Sequence, residues 1–401
     1  MRDSYDVVIV GGAVIGSAVA YYLMADPDFD GSVLIVERDP QFRQASTSLS
    51  AASIRTQFSN AINVKISQYG GQVIRDFAQM MAVGDSRPDL NFHGGGYLFL
   101  ATQEAQAETL RLNHAVQRDC GADVVLWSRD ELAEAFPHLR VDDVLLASYG
   151  RSGEGWFDNS GLMNGFRAKA RDLGADYVVD EVVGIDRQGG RVSGVTLASG
   201  AKVQAGTIVN ASGPRASRTA AMAGLAIPVE PRKRSVFVFD CAASPEGTAR
   251  LNHGRLPLLI DASGVYVRPE GRFFLTGCPP VEDPAVDYDD FAPRHEEFEE
   301  IIWPVLAERS PAFEAIKLVN MWAGHYAFNT LDHNLIVGRH PEVENFIFAN
   351  GFSGHGLQQA PATGRGVSEL IVHGGFRTLD LTPLGVERVL EGRPFLERAV
   401  I

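Results

Sequence analysis

The chain predicts an α/β fold in which pieces of a Rossmann-like parallel sheet alternate along the sequence with pieces of an antiparallel α+β unit. Three observations carry this. A glycine-broken βαβ pattern opens the chain at Val7–Glu37. Two further buried strands, Thr207–Asn210 and Asn345–Ala349, each run into a turn of small residues. Between them, Arg232–Gly277 reads as short strands separated by Gly and Pro turns, the pattern of an antiparallel sheet. Parallel pieces flank antiparallel ones, so no single cut separates two domains.

The first unit is the most informative. Val7–Val10 is an apolar run of buried-strand type, Gly11 breaks it, Val14–Ala25 has helical spacing, and Val33–Val36 is a second buried strand ending in Glu37. Backbone N–H groups at such a helix start face a pyrophosphate, and Glu37, 21 residues after Gly16, is placed to hold a ribose hydroxyl. The unit therefore reads as a dinucleotide site, and its position at the start of this sequence favours FAD. Gly11, Gly12, Ala13, Val14, Ile15 and Gly16 form its turn, with Glu37 and Arg38 at the next strand end. One departure stands out: the G-x-G-x-x-G pattern has Ala13 at its middle position, where a methyl should hold a diphosphate slightly off. A signal peptide is the competing reading of Val7–Leu23, but Asp3 and Asp6 beside a single Arg2 do not make a basic leader.

The segment Gln44–Arg55 is rich in small hydroxyl residues, poor as helix interior and suited to close approach by a flat ligand. Ile62–Met80 reads as an amphipathic helix, Asp89–Thr102 as a strand after a glycine turn, Glu104–Cys120 as a helix, and Ser128–Phe136 as a short capped helix stopped by Pro137. Beyond Tyr149–Asp158 a helix runs to about Leu173. Strands follow at Tyr177–Asp186, Arg191–Leu197, Lys202–Gln204 and Thr207–Asn210. Phe291–Leu306 reads as a helix, and a last helix spans Gln358–His373.

With 36 basic and 50 acidic side chains the net charge is −14, which disfavours nucleic acid and anionic membranes as partners. No apolar run reaches the length of a membrane span. Cys120, Cys241 and Cys278 are far apart and lack metal-ligand spacing, so no metal is expected and a reducing cytoplasm fits best.

The fingerprint together with Gly351-Phe352-Ser353-Gly354-His355-Gly356 resembles the FAD-dependent D-amino acid oxidase superfamily, whose members include glycine oxidase, sarcosine oxidase and dimethylglycine dehydrogenase. The resemblance covers most of the chain and is strongest at Val7–Glu37, Gly155–Gly174, Ile208–Gly213 and Asn334–Ile371. The segment Ala45–Ser59 is most similar to the branch containing complex I assembly-linked flavoproteins. The resemblance implies a glutathione reductase-type FAD domain at 1–88, 145–228 and 325–401, with a substrate domain at 89–144 and 229–324. It further implies that Val182 meets the adenine, that Ala211, Ser212 and Gly213 lie under the cofactor, and that Ser46, Thr47, Ser48, Ala51 and Ala52 run along the flavin edge. Gly324 and the turn from Gly351 through Leu357 and Gln358 complete the cofactor contacts.

Two departures from relatives bear on chemistry. Where some tether FAD through cysteine this chain has His325, so the cofactor is expected to be non-covalent. Where some hold an oxygen-activating lysine it has Leu275, and a second, carboxylate-binding lysine aligns with Gln358. Arg55 is the residue expected to clamp a substrate carboxylate, because a guanidinium can hold one in a bidentate pair. Tyr266 and Arg268, two apart on one strand face, are candidate pocket residues, His325 and His355 candidate bases, and His93, Trp322 and Tyr326 further lining candidates. The expected reaction is oxidation of the C–N bond of an amino acid or N-substituted amino acid by hydride transfer to flavin N5, giving an imine that water hydrolyses. O₂ or an electron-transfer partner takes the electrons. Two alternatives stay open: a 2-hydroxy acid dehydrogenase, and a flavoprotein serving only as an assembly or interaction subunit. The oligomeric state stays open as well.

Overall fold

The computed structural model of the chain describes residues 1–398. Its first sheet runs in the order Ile336–His340, Val343–Asn350, Lys202–Asn210, Ser4–Val10, Val33–Glu37 and Asp176–Val179. All neighbours are parallel except the first pair. The helix Val14–Ala25 is buried from Val14 through Leu23, because it lies between the sheet and two other helices, Asn159–Asp172 and Gly356–His373. A Cβ on Gly364 would sit 2.7 Å from the Ala18 carbonyl carbon, so only glycine lets the last helix cross this close. Val7, Ile9, Val33 and Ile35 meet that helix layer, while Val8, Val10, Leu34 and Val36 face the opposite core, the alternation of a sheet covered on both faces.

The second sheet runs Ile316–Asn329, Val229–Cys241, Phe273–Gly277, Tyr266–Glu270, Leu258–Ile260, Tyr97–Ala101, Leu146–Gly150 and Val124–Trp127, antiparallel except where Leu258–Ile260 meets Tyr97–Ala101. Its two longest strands pair from Val229↔Asn329 to Cys241↔Ile316. Their inner ends lie against the first sheet, so the cleft between the sheets is walled by both.

The structure departs from the sequence reading at several places. Residues 177–186 form two strands, Asp176–Val179 and Val182–Gln188, which pair with different neighbours. Lys202–Asn210 is one strand that serves the antiparallel hairpin at one end and the parallel sheet at the other. Only Tyr97–Ala101 of the stretch 89–102 is strand. The helix expected from Phe291 begins only at Glu296, and a π-turn over Phe298–Ile302 leads into Trp303–Arg309. Pro293 disfavours helical geometry at the residue before it, and 283–292 run over the cleft instead. Near the expected domain junctions, Leu146–Gly150 pairs in the second sheet, and the strand Ile316–Asn329 continues there past position 325.

Candidate active site

A cleft of about 530 Å³ lies between the two sheets. At one end are the dinucleotide-type turn and strand end. Gly11 sits at φ +100°, and a Cβ there would stand 2.5 Å from the Ala211 carbonyl oxygen. The two loops that frame the cleft therefore touch through bare backbone. The Gly12 N–H donates to Glu37 Oε2 at 2.8 Å, and the Asp39 N–H donates to Glu37 Oε1 at 2.8 Å. Burial pushes the Glu37 carboxyl above the ordinary range, while those two donors favour its charged form. Ala13 is the N-cap, at φ −69°, and its methyl lines the cleft without strain. Val14, Ile15, Arg38, Val182, Ala211, Ser212 and Gly213 line the same end.

Along the middle run Ser46, Thr47, Ala51 and Ala52, facing Gly324, His325, Phe352, Gly354, Gly356 and Leu357. Ser46 Oγ donates to the His325 carbonyl at 2.6 Å, and Trp322 Nε1 donates to the Leu49 carbonyl at 2.9 Å, so the hydroxyl-rich segment is fastened across the cleft to the strand Ile316–Asn329. Ala52 holds φ +50°, a strained conformation for a residue with a Cβ, at the point where the segment turns toward the inner end.

The inner end is aromatic and carries one fully buried guanidinium. Arg55, 2% exposed, lies over the Phe58 ring at 4.2 Å and near Phe99 and Tyr97 at 5.6 and 6.0 Å. Its Nη1 donates to the Gln57 carbonyl at 2.5 Å, its Nη2 lies 3.0 Å from His355 Nε2, and its backbone N–H donates to Gln358 Oε1 at 3.0 Å. Burial, then the Arg55 charge, hold His355 well below the usual imidazole range. An Arg nitrogen can only donate, so Nε2 of this neutral ring accepts and its proton sits on Nδ1. Tyr266, Tyr326, Tyr97, Leu258 and Ile260 line the chamber around these groups. Burial raises all three phenols, which stay protonated donors.

His325 is the reverse case. Its Nε2 donates to the Asp290 carbonyl at 2.7 Å, its ring stacks on Phe291 at 4.2 Å, and burial lowers its basicity. The neutral ring therefore keeps a bare Nδ1.

Nine of the residues singled out above do not line the cleft. Arg268 shares a strand face with Tyr266, but its guanidinium turns away: it donates to the Ala51 carbonyl at 2.8 Å and to the Pro269 carbonyl at 2.9 Å, pairs with Glu270, and lies 5.3 Å from the Trp156 ring. It braces the segment 46–52 from outside the cleft lining, so no catalytic role is proposed for Arg268. Gly12 and Gly16 hold the turn against Glu37 and the Gly11 carbonyl, Ser48 lies within the turn that follows Ala45, and Gly351 and Ser353 pack on Asn329. Leu275 is buried opposite Val238 and Arg268 and does not line the cleft. His93 and Trp322 are likewise absent from the lining, whereas Tyr326 is part of it.

Several lining groups escaped the sequence reading. Residues 283–291 close over the cleft through Asp283 on Arg234 at 2.6 Å, Asp289 on Arg215 at 3.0 Å, Asp290 on Lys233 at 2.8 Å, and Tyr288 under Arg218 at 3.8 Å. The alternation of Asp with aromatic residues in that loop was the available signal. Away from the cleft, ligand-type atoms of Asp26, Asp28 and His373 lie within 4.8 Å of one another. Among the described residues no helix is long and apolar enough to cross a membrane.

The residues present fit an FAD: the cleft joins a dinucleotide-type turn to an enclosed aromatic chamber. The comparisons agree. A family model described as FAD dependent oxidoreductase (DAO) matches residues 6–370. The chain is 40% identical to the FAD-dependent oxidoreductase domain-containing protein 1 of Xenopus laevis, over 99% of this chain and 85% of that protein. It is 27% identical to the glycine oxidase of Bacillus licheniformis, over 97% of this chain and 98% of that one. Among solved structures, the L-proline dehydrogenase from P. horikoshii superposes with a TM-score of 0.85 at 25% identity, covering 98% of this chain and 100% of the other.

Proposed function

The chain belongs to the DAO family of FAD-dependent oxidoreductases, and from that membership we propose that it oxidises the C–N bond of a small amino acid or N-substituted amino acid. The observation that carries this reading is the Arg55 guanidinium, buried among aromatic rings at the inner end of the cleft beside a neutral histidine. A guanidinium in such a low-dielectric chamber favours a carboxylate over a neutral group beside it, and a carboxylate matches its planar fork. The named activities of similar proteins, glycine oxidase and L-proline dehydrogenase, both concern amino acids.

In this reading the turn Gly11–Ile15, Glu37, Val182 and Ala211–Gly213 hold the nucleotide half of FAD, and the segments 46–52 and 351–358 hold the flavin half. Bound FAD supplies the two-electron acceptor that takes hydride from the carbon bearing nitrogen. Arg55 fixes the carboxylate, and Tyr97, Tyr266 and Tyr326 with Leu258 and Ile260 enclose the side chain and exclude water. His355 orients Arg55; its only lone pair is already engaged, so it is not the group that takes a substrate proton. His325 keeps a bare Nδ1, but burial makes it a weak base, adequate for an ammonium and poorly matched to an alcohol. That favours amines over 2-hydroxy acids.

The test is anaerobic mixing of the flavin-loaded protein with amino acids, N-alkyl amino acids, their decarboxylated amines and 2-hydroxy acids, following loss of the flavin absorption band. Bleaching by the carboxylate-bearing amines is expected. Bleaching by hydroxy acids alone, or by amines regardless of the carboxylate, overturns the reading.

The cofactor is held without a covalent bond in this proposal, because His325 stands where a tethering cysteine would, its ring pinned by the Nε2–H bond to the Asp290 carbonyl and the stack on Phe291. Acid precipitation should leave all of the yellow colour in the supernatant as FAD. Flavin remaining with the pellet, and retained on a peptide containing His325, would show a tether.

A further inference from the structure

Glu154 is among the most deeply buried acids in the protein, 1% exposed, and no role for it follows from the cofactor fingerprint. It lies on the strand-edge turn before Gly155–Trp156, packed so tightly against Gly150 that a Cβ on that glycine would fall 1.9 Å from Glu154 Oε2. Both carboxylate oxygens are engaged. Oε1 accepts from the Thr56 N–H at 2.7 Å and from Thr56 Oγ1 at 2.6 Å, and Oε2 accepts from Gln57 Nε2 at 2.9 Å. The Gln57 side chain is completed by Ser148 Oγ, which donates to its Oε1 at 2.7 Å, and by the Tyr97 carbonyl, which accepts from its Nε2 at 3.0 Å. The Gln57 carbonyl in turn accepts from Arg55 Nη1. A single carboxylate thus grips the two residues that follow Arg55, and one of them holds the guanidinium.

Burial raises the Glu154 carboxyl, and three donors together with the positive charge of Arg55 favour its ionised form. An acceptor-only carboxylate is the one group that satisfies all three donors at once. It is not part of the cleft lining, so it acts from outside the substrate chamber.

We infer that Glu154 is a positioning residue for substrate carboxylate binding: through its bonds to Thr56 and Gln57 it sets the place and orientation of Arg55. The inference rests on the reading of Arg55 as the carboxylate anchor. Glu154→Gln keeps the size and one acceptor oxygen but turns an N–H₂ toward the Gln57 N–H₂, so the grip on residue 57 is lost.

The experiment is a double-mutant cycle on the flavin-loaded protein, reading the Kd of a non-reacting carboxylate, acetate or benzoate, from the perturbed flavin spectrum. Glu154→Gln is expected to raise that Kd about 10-fold in the native background and less than about 2-fold when Arg55 is already Ala. KM for a carboxylate-bearing amine should rise with kcat nearly unchanged. Thr56→Val, which removes one donor and keeps the shape, should raise Kd about 3-fold in the native background, and it serves as the test if Glu154→Gln does not accumulate as loaded protein. An equal effect in both backgrounds marks a general structural role and overturns the inference, as does no effect in the native background. The two readings fail separately. If Arg55→Ala leaves carboxylate affinity unchanged, the anchor reading falls and takes this inference with it; if Arg55→Ala weakens it and Glu154→Gln does not, only the role of Glu154 falls.

Discussion

Gly11→Val yields a folded protein that binds no FAD. The native backbone at this position has φ +100°, which an L side chain rarely adopts, and any Cβ would stand 2.5 Å from the Ala211 oxygen, 3.0 Å from its carbonyl carbon and 3.1 Å from Ser212 Cα. All three neighbours are backbone, so no side chain can swing aside. Relief comes only by parting the turn from residues 211–213, the two walls of the nucleotide end, and the backbone strain adds on the order of 1–2 kcal/mol. Both walls are parallel-strand ends whose strands pair with each other from Ser4↔Gln204 to Val10↔Asn210, and that pairing does not depend on the turn. Absorbance after purification and fluorescence titration with added FAD report the loss, and circular dichroism reports that the sheet survives. The contrast is Ala13→Gly, which restores the missing middle glycine. Ala13 already has φ −69° and no clash, so this change should leave affinity intact or modestly higher. Full flavin occupancy in Gly11→Val would mean that the diphosphate does not lie at this turn.

Arg55→Ala raises KM for carboxylate-bearing amines by about 30- to 1,000-fold, the equivalent of about 2–4 kcal/mol for a lost charge-assisted bidentate pair in a buried site. Uncharged amines should change far less. The discrimination matters because Arg55 is also woven into the protein: Gln57, Gln358 and His355 all bond to it, and Phe58 lies against its face. Some loss of stability is therefore expected whatever its role. A purely structural arginine would weaken both substrate classes equally; an anchor separates them. Arg55→Lys retains the charge but not the fork, and should recover only part of the affinity. The measurement is steady-state kinetics on matched pairs of an amino acid and its decarboxylated amine, with flavin content determined for each variant. Equal losses for the two classes would return Arg55 to the scaffold.

Much of the geometry at the Gly11–Glu37 end of the cleft was legible because its signals are local. Gly11, Gly16 and Glu37 lie within one βαβ unit, and the helix expected over Val14–Ala25 is found over those same residues. The final turn was legible for the same reason, since Gly354 and His355 immediately precede the helix that they start. The long-range bonds that hold the cleft were not. Thr56 and Glu154 are 98 residues apart, and Ser46 and the His325 carbonyl are 279 apart. Nothing in either neighbourhood marks these partners. Strand parity placed Tyr266 and Arg268 on one face correctly, but parity says nothing of where a long side chain ends, and Arg268 found the Ala51 carbonyl outside the cleft.

The sequence by itself determined the βαβ unit, the class of ligand it accommodates and the alternation of parallel with antiparallel pieces, because hydrophobic period, glycine placement and a strand-end carboxylate act over a few residues. The tertiary structure alone decided the chemistry of the inner end. It turned His355 into an acceptor for Arg55, left His325 with a bare Nδ1, turned Arg268 to the Ala51 carbonyl outside the cleft lining and bonded Glu154 to Thr56 and Gln57. The physical reason is the same in each case: the proton positions and orientations of buried polar groups depend on which donors and acceptors remain when water is excluded, and that is set by segments distant in the chain.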